Sequence, residues 1–438
     1  MSSEPQVNID PAAAERGNWR PVQVFRAIEL LREVMMAIAP ADRVMEGFFR
    51  RHRDMGSKDR GRVAEAVYAC LRQRRLYETL AGSPDNPEAL LAVYLLREAG
   101  WSGRALARFE FHVSIDALTQ RVRTTDVAAL SLAVRASWPD WLADELRKEF
   151  DDAELERLAE ALNQPAPVDI RVNTHKASRD EVAAQLASAG YPMEPARWSP
   201  AALRRANRAP LFNTQAFRNG LFEVQDEGSQ LVSLLLAPKR RQTIVDFCAG
   251  GGGKALHLAS LMENTGLVYA CDVNPKRLQN LKPRILRAQL DNIQLMPLAD
   301  ENDAQLERLV GKADGVLVDA PCSGTGTLRR NPDIKWRQID LAALSALQLR
   351  ILNSACKLVK PGGLLVYATC SLLQCENQDV ARAFLAGHAE FNAENAADIL
   401  RFAQVDVGDA VTADGHLRLL PHRHNADGFF AAAFRRAK

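Results

Sequence analysis

Residues 243–259, TIVDFCAGGGGKALHLA, join a short apolar run to four consecutive glycines and then to a helical pattern. An apolar run of this length is typical of a buried strand, and glycines after it let the backbone turn sharply where any side chain would collide. The helix that begins near Lys254 presents unsatisfied amide groups at its first turn. The stretch therefore predicts a strand–turn–helix unit that binds a nucleotide-like ligand.

The same alternation of short apolar runs and longer helical patterns continues to the end of the chain. Candidate strands are TIVDFCA, GLVYACDV, IQLMPLA, DGVLVDAP and GLLVYATCS, and candidate helices span 254–263, 275–290, 340–359 and 376–387. This pattern favours an α/β fold with a mostly parallel sheet and helices on both faces. Two further runs, GHLRLLP and GFFAAAFRR, indicate an antiparallel pair at the sheet edge. His422 and His424, in the connection between them, are expected to be solvated.

The first part of the chain has a different, helical rhythm. In VQVFRAIELLREVMMAIA the apolar residues recur at steps of three and four, which lines one face of a helix. Pro165 and Pro167 end the helical block and begin an extended segment. We therefore expect an all-helical domain over 20–164, a linking α/β subdomain over 165–238 and an α/β catalytic domain over 239–438.

The composition is that of an ordinary globular chain. Of 438 residues, 47% are hydrophobic and 25% are charged, which indicates neither disorder nor residence in a membrane. There is no apolar stretch of membrane-spanning length and no leader pattern at the N-terminus, so we expect a cytoplasmic protein without a membrane partner. Seven scattered cysteines without a CxxC pair argue against a disulfide framework or a metal site.

Charge is more informative locally than globally. The formal net charge of +2 is too small to indicate a polyanionic ligand by itself. One basic run, at 197–220, contains five arginines and no acidic residue, and a second, RRHRDMGSKDRGR, occupies 50–62. The arginines of the first run are Arg197, Arg204, Arg205, Arg208 and Arg218. Each run is consistent either with a solvated charged face or with a surface that binds RNA phosphates.

Three nucleotide-binding patterns compete at the glycine-rich turn. A Walker phosphate loop needs glycine at 248 and Ser or Thr at 255, and Cys248 and Ala255 exclude it. The dinucleotide pattern GxGxxG/A is met by Gly250, Gly252 and Ala255, and Asp272 follows at the end of the second strand, where it can accept hydrogen bonds from a ribose. This pattern serves any adenosine-containing cofactor, so a nicotinamide cofactor and S-adenosylmethionine both remain open here.

Two cysteines follow adjacent strands of the predicted sheet. Cys322 lies in VLVDAPCSGTGTLRRNPDIKW, 316–336, and Cys370 lies in LLVYATCSLLQCENQ, 364–378. Carbon 5 of cytosine becomes nucleophilic only after another group has added to carbon 6, and a thiolate is suited to that addition because it also leaves readily. Methylation of carbon 5 therefore needs a cysteine beside the methyl donor, and both cysteines are candidates.

The motifs VQDEGSQ, DFCAGGGGK, DAPCSGTGTLRRNPDIKW, LVKPGGLLVYATCSLLQCEN and DGFFAAAFRR cover about 222–436. Through them the chain resembles the Nop/Sun RNA cytosine-5 methyltransferases, above all the bacterial Sun (Fmu) type that acts on small-subunit ribosomal RNA. DRGRVAEAVYACLRQRRLYETL, 59–80, resembles the NusB-like RNA-binding domain of that type. The resemblance implies a NusB-like helical domain, a Rossmann-like catalytic domain, S-adenosylmethionine as cofactor and RNA as partner.

The resemblance also implies roles for individual residues. Cys370 of the TC motif would be the nucleophile, Cys322 of the PC motif would assist release of the methylated base, Asp319 would contact the cytosine ring, and Lys254 would lie close to both ring and cofactor. Asp272 and Asp300 would hold the ribose and adenine of the cofactor. The complete cofactor-binding set is Cys248, Ala249, Gly250, Gly251, Gly252, Gly253, Lys254, Asp272, Arg277, Asp300 and Asp319.

The glycine-rich turn departs from the family pattern. The family usually reads A-P-G-G-K-T where this chain has GGGGKA at 250–255, so we expect a looser loop that binds the cofactor more weakly.

One alternative is a cytosine-5 methyltransferase of DNA, in which the PC cysteine is the nucleophile, or of tRNA. Another is a non-catalytic RNA-binding ribosome-assembly factor. A self-contained cofactor site is compatible with a monomer.

Overall fold

The computed structural model describes residues 19–438, which divide into two compact units. The first unit holds the described residues up to Asn163 together with Leu328–Arg337. The second unit holds Gln164–Thr327 and Gln338–Lys438. Within 19–438, no helix combines the length and the apolar character that a bilayer crossing demands.

The first unit is helical, as its sequence pattern predicts. In α1 the buried residues Val24, Ala27, Leu31 and Val34 recur at steps of three and four, so one face of the helix packs into the core. Its helices are α1 Pro21–Met36, α2 Ala41–Arg51, α3 Ser57–Arg72, α4 Arg74–Ala81, α5 Pro87–Arg97, α6 Gly103–Leu106, α7 Ile115–Thr124, α8 Leu132–Arg135, α9 Asp140–Arg147 and α10 Asp152–Leu162.

The segment Leu328–Arg337 packs among these helices. Trp336 donates its indole N–H to the carbonyl of Leu71 at 2.8 Å, and Lys335 Nζ donates to the carbonyl of Arg72 at 2.6 Å. The end of the DAPCSGTGTLRRNPDIKW motif therefore belongs to the helical unit, whereas its beginning belongs to the second unit.

The second unit begins with a small antiparallel sheet. Its strands, in the order β2-β3-β1-β4, are β1 Val168–Val172, β2 Glu194–Pro195, β3 Ala202–Arg205 and β4 Phe222–Val224. The helices of this part are α11 Arg179–Ser188, α12 Gln215–Arg218 and α13 Glu227–Leu235. Ile170, Val182, Leu186 and Phe222 form the centre of its own apolar core.

The large sheet carries the strands that the sequence predicts. Its order is β10-β12-β9-β8-β5-β6-β7, with β11 paired to β12. The strands are β5 Thr243–Asp246, β6 Leu267–Asp272, β7 Ile293–Pro297, β8 Ala313–Asp319, β9 Val359–Thr369, β10 Phe391–Glu394, β11 Leu417–Leu419 and β12 Phe429–Arg436. The helices are α14 Gly253–Leu261, α15 Pro275–Ala288, α16 Leu341–Ala355, α17 Gln378–Gly387, α18 Ala396–Phe402 and α19 Pro421–His424.

Both faces of this sheet are covered, because successive strand residues belong to different cores. Leu317 and Val366 pack on one face with helices α13 and α14, whereas Val316 and Leu365 pack on the other with α16 and α17. The strands β5 to β9 pair in parallel, and β9, β12 and β10 pair antiparallel. The α/β class and the mostly parallel sheet are confirmed.

Two expectations near the C-terminus need correction. The predicted antiparallel pair forms, since β11 pairs with β12, but β12 lies inside the sheet because β10 pairs with its outer side. His424, expected to be solvated, is buried: its Nδ1 accepts a hydrogen bond from the Leu420 amide at 2.8 Å within the turn Pro421–His424. His422 is half-buried.

Candidate active site

The glycine-rich turn has the backbone conformation that its composition predicts. Gly250 and Gly252 have φ values of +55° and +78°, in the left-handed region that favours glycine. A Cβ at Gly252 would lie 2.3 Å from Leu281 Cδ1, so the turn also packs too closely for a side chain there. The Gly250 amide donates to Asp272 Oδ2 at 2.8 Å, which links the turn to the end of β6.

Two arginines hold the part of the turn that lacks the family's proline. Arg284 donates to the carbonyl of Gly251, and Arg171 donates to the carbonyl of Gly253 at 2.7 Å. Arg171 comes from β1 of the small sheet and is almost fully buried. The loop is therefore restrained by side chains that lie far away in the sequence, and its glycine content alone does not describe its stiffness.

A cavity of about 810 Å³ opens at the carboxyl ends of the parallel strands, next to this turn. It is the place where an open parallel sheet binds ligands. Of the predicted cofactor and catalytic residues, it is lined by Cys248, Ala249, Gly250, Gly251, Gly253, Lys254, Asp272, Arg277, Asp300, Asp319, Cys322 and Cys370. Gly252 does not line the cavity, because it packs on Leu281 instead.

Several lining residues were not anticipated by the sequence. Gln225 and Ser229, joined by a hydrogen bond of 3.0 Å, and Arg284 lie in the wall of the cavity. Gln225 and Ser229 belong to the VQDEGSQ motif, which was noted only as part of the family pattern. Arg284 lies on the exposed side of a helical pattern, where the sequence offers no signal that separates it from an ordinary surface arginine.

The two cysteines predicted to act together lie side by side. Cys322 follows β8 and Cys370 follows β9, and the parallel register pairs Asp319 with Ala368 just before them. The sulfur atoms are 3.4 Å apart, and both residues are half-buried. The hydrogen bond with Cys370, together with burial, raises the pKa of the Cys322 thiol well above its ordinary value. Cys322 therefore keeps its proton at neutral pH.

An ion pair lies beside the thiols. Lys254 Nζ donates to Asp319 Oδ2 at 2.7 Å and lies 5.4 Å from the ring centre of Phe429. Burial opposes the charge of Lys254, but Asp319 outweighs it, so the pKa of the lysine is raised. The ammonium of Lys254 thus places a positive charge on the cavity wall that Cys370 also lines.

Beneath the ion pair lies a carboxyl group that has no strong hydrogen-bond partner. Asp246, at the end of β5, is 1% exposed, and neither of its oxygens has a partner with good geometry. Burial, with the nearby Asp319 as a second cause, raises the pKa of Asp246 to about 8. The group is therefore largely protonated at neutral pH, and it does not compete with Asp319 for Lys254.

The basic run at 197–220 does not form one uniform surface. Arg204 makes two hydrogen bonds to Asp169, at 2.6 and 2.7 Å, and lies 3.5 Å from Glu227. Both carboxylate side chains are fully buried, so Arg204 is a structural cation. Arg197 and Arg218, by contrast, are exposed. In the run at 50–62, Arg50 and Arg51 are exposed but pair with neighbouring glutamates at 2.6 Å.

Among residues 19–438, no cluster of three or more His, Cys, Asp or Glu side chains is placed to hold a metal ion. Two further cysteines, Cys271 and Cys356, are buried core residues on one face of the sheet. Burial raises the pKa of both thiols, in Cys356 to about 11. Cys322 and Cys370 are thus the pair that combines proximity with access to the cavity.

Two family models match the chain. One, described as 16S rRNA methyltransferase RsmB/F, matches residues 233–435. The other, described as the ferredoxin-like domain of RsmF/B-like methyltransferases, matches residues 138–211.

Known proteins are similar over most of the chain. A probable ribosomal RNA small subunit methyltransferase B from Synechocystis is 37% identical over 315 residues, covering 71% of this chain and 70% of that protein. The human 28S rRNA (cytosine(4447)-C(5))-methyltransferase is 33% identical over 321 residues, covering 70% of this chain and 38% of that protein. The solved structure of PH0851 is 26% identical, with a TM-score of 0.77, covering 96% of this chain and 99% of that one.

Proposed function

Because the chain belongs to the 16S rRNA methyltransferase RsmB/F family, we propose that it methylates carbon 5 of a cytosine in small-subunit ribosomal RNA, with S-adenosylmethionine as the methyl donor. The observation that carries this proposal is the pair of sulfur atoms, 3.4 Å apart, on the wall of the cavity next to the glycine-rich turn. Methyl transfer to an amino group or a hydroxyl would need neither thiol.

The cavity fits the cofactor. The turn at 250–253 brings backbone amides to its wall, and the buried carboxylate of Asp272 suits ribose hydroxyls. Asp300 lies further along the same wall and suits the adenine end. Bound there, S-adenosylmethionine supplies an electrophilic methyl group.

The two thiols have different roles because their surroundings differ. An ordinary thiol is only a few per cent thiolate at neutral pH, so the nucleophile needs a nearby cation. The cation of Lys254 lies on the cavity wall that Cys370 also lines, whereas the raised pKa keeps the proton on Cys322. Cys370 therefore adds to carbon 6 of the cytosine, and Asp319, which faces the same cavity, orients the ring.

Release then depends on Cys322. After carbon 5 has been methylated, its proton leaves, the carbon 5–carbon 6 double bond forms again, and the sulfur of Cys370 departs with its electron pair. A thiol that donates a hydrogen bond to the departing sulfur makes it a better leaving group, and Cys322 lies at that distance. The target base must also be unpaired or flipped, at a cost of about a few kcal/mol.

The remaining parts of the chain are proposed to bind the RNA. We assign residues 20–164 to RNA binding, 165–238 to a link that braces the glycine-rich turn, and 239–438 to catalysis. The exposed arginines of the two basic runs would contact phosphates, which gives affinity that falls with salt. Arg204 is left out of this set because its charge is used by Asp169.

The decisive experiment compares three cysteine variants on ribosomal RNA that lacks the modification. Cys370→Ser should abolish transfer of a tritiated methyl group and the gel-stable adduct with RNA that contains 5-fluorocytosine. Cys322→Ser should trap protein on unmodified RNA as a covalent adduct. Cys375→Ser, a half-buried thiol five residues beyond Cys370, is the control and should keep full activity.

Other results would contradict the proposal in recognisable ways. Loss of activity in Cys322→Ser with activity retained in Cys370→Ser would exchange the two roles, as in DNA methyltransferases. Absence of tritium transfer by the unaltered protein to naked RNA and to partly assembled subunits would favour a non-catalytic assembly factor. Bisulfite sequencing of ribosomal RNA from a deletion strain and its parent would identify the modified cytosine.

A further inference from the structure

A buried polar cluster lies next to the loops that carry the two thiols. Ser323 follows Cys322, Ser371 follows Cys370, and the two serine hydroxyls are 3.2 Å apart. Both hydroxyls donate to the same oxygen of Glu376, Oε2, at 2.5 Å from Ser323 and 2.6 Å from Ser371. One carboxylate oxygen thus bridges the residues that immediately follow the two cysteines.

The other oxygen of Glu376 is also fully used. Oε1 accepts a hydrogen bond from the Ser323 amide at 2.8 Å and from Gln348 Nε2 at 3.0 Å. Glu376 is 0% exposed, and all four donors are uncharged groups. A buried carboxylate without a cation is costly unless its oxygens are satisfied, so this arrangement holds its donors firmly in place.

The neighbouring residues tie the same cluster to the strand ends. Asn377 donates from Nδ2 to the carbonyl of Ser371 at 2.9 Å and accepts a hydrogen bond from the Thr369 hydroxyl. The Gly326 amide donates to the carbonyl of Cys370 at 2.9 Å. The main chain of Cys370 is therefore held from both sides, whereas the residue after Cys322 is linked to it through Glu376.

We propose that Glu376 is a positioning residue that sets the separation of the Cys322 and Cys370 sulfur atoms, and through it the rate at which Cys370 leaves the methylated base. The proposal rests on the function proposed above. Glu376 does not line the cavity and makes no hydrogen bond to either sulfur atom, so it positions the thiol loops through Ser323 and Ser371. Its negative charge also contributes to the raised pKa of Cys322. In the release step, carbon 5 loses its proton to water and the Cys370 sulfur–carbon 6 bond breaks, with the electron pair returning to a sulfur that accepts a hydrogen bond from Cys322.

Two readouts test this role. The first is the fraction of enzyme held as a covalent RNA adduct during turnover on unmodified RNA. The second readout needs no RNA and is the rate at which diamide oxidises Cys322 and Cys370 to a disulfide. Fragment-ion mass spectrometry shows whether Cys370 or Cys375 takes part in that disulfide. A disulfide forms quickly only between sulfur atoms that already lie close together.

Glu376→Ala should accumulate adduct, lower the release rate roughly ten- to a hundredfold and slow disulfide formation, because a displacement of about 1 Å has effects of that size on reacting groups. Glu376→Gln should behave nearly as the unaltered protein, because its amide oxygen can accept from the Ser323 amide and Gln348 while the serine hydroxyls turn to accept from its NH₂ group. Val380→Ala, a cavity-forming change in the next helix, is the control for lost stability and should leave both readouts unchanged.

If Glu376→Ala does not fold, the double variant Ser323→Ala and Ser371→Ala removes the same bridge with smaller changes and should give the same two effects. Unchanged adduct fraction and unchanged disulfide rate in the folded variant would overturn the proposal. If the unaltered protein itself never forms an adduct, the proposed function fails, while the disulfide rates still report whether Glu376 sets the spacing of the thiols.

Discussion

Arg204→Ala should destabilise the second unit strongly, although the residue lies in a run of arginines that looks like a surface feature. The Arg204 side chain is 16% exposed and shares its charge between Asp169 and Glu227, whose side chains are completely buried. Removing the cation leaves two carboxylates in the interior. Asp169 then keeps a hydrogen bond from the Glu227 amide at 3.0 Å, and Glu227 keeps the amides of Trp198 and Ser199.

The magnitude follows from the burial of the pair. Loss of one partner from a buried ion pair costs about 3–5 kcal/mol, because the other charge remains without compensation. For a domain of roughly this size, each kcal/mol shifts the melting temperature by about 2–4 °C. We therefore expect the transition of the second unit to fall by roughly 6–20 °C.

The loss of stability in Arg204→Ala should depend on pH. Burial already raises the pKa of Glu227, and loss of Arg204 should raise it further. A carboxyl whose pKa is higher in the folded than in the unfolded protein contributes stability at low pH that is lost as pH rises through the folded pKa. The deficit of Arg204→Ala should therefore be smaller at pH 5 than at pH 8.

Differential scanning calorimetry at these two pH values measures both effects. The matched control is Arg197→Ala, whose side chain is 53% exposed and lies 3.9 Å from its nearest carboxylate, so that its transition should stay within about 1 °C of the unaltered protein. A shift of about 1 °C or less for Arg204→Ala, or a deficit that grows toward low pH, would refute the reasoning.

Three further changes test the glycine-rich turn and its acidic neighbours. Asp246→Asn should gain stability relative to the unaltered protein as pH rises from 5 to 8, by at most about 1.4 kcal/mol per pH unit. The reason is that the native Asp246, with a pKa of about 8, binds more protons in this pH range than an unfolded aspartate. If the free energy of unfolding, measured in urea at each pH, changes equally with pH in both proteins, this expectation is contradicted. Gly252→Ala should cost about 2–4 kcal/mol, since its φ is +78° and the new methyl group meets Leu281, whereas Gly311→Ala, with a φ of +66° and open space, should cost only about 1–2 kcal/mol; equal shifts in urea midpoint would exclude the collision. Asp272→Asn should weaken S-adenosylmethionine binding about ten- to a hundredfold in calorimetric titrations, because a charge-assisted hydrogen bond contributes about 1.5–3 kcal/mol; an unchanged Kd would remove it from the cofactor site.

The strands of the large sheet were predictable because each has a recognisable local pattern in the sequence. A strand buried on both faces reads as an unbroken apolar run, as in β5, β6, β8 and β9, and the fifth candidate run corresponds to the partly exposed edge strand β7. The family resemblance was readable for the same reason, since its motifs are short continuous stretches, and the family is confirmed. Parallel strands end at one edge, so the proximity of Cys322 and Cys370 followed from their places after adjacent strands.

The positions whose surroundings the sequence does not reveal depend on partners far away along the chain. Arg204 reads like Arg197 in the sequence, and only pairing of β1 with β3 brings Asp169 opposite it. The glycine run predicts a loose loop, yet Arg171 and Arg284 hold its carbonyls. His424 reads as part of a polar connection and is buried by a turn of the chain.

The sequence by itself determined the α/β class, the glycine-rich turn and the two thiol-bearing loops, because backbone preferences and hydrophobic periodicity act over a few neighbouring residues. Tertiary structure alone decided which charges are buried, how the turn is braced, and that Glu376 joins the residues after Cys322 and Cys370. Hydrogen bonds and ion pairs depend on distances of about 3 Å between atoms, and residues tens or hundreds of positions apart reach such distances only when the whole sheet has assembled.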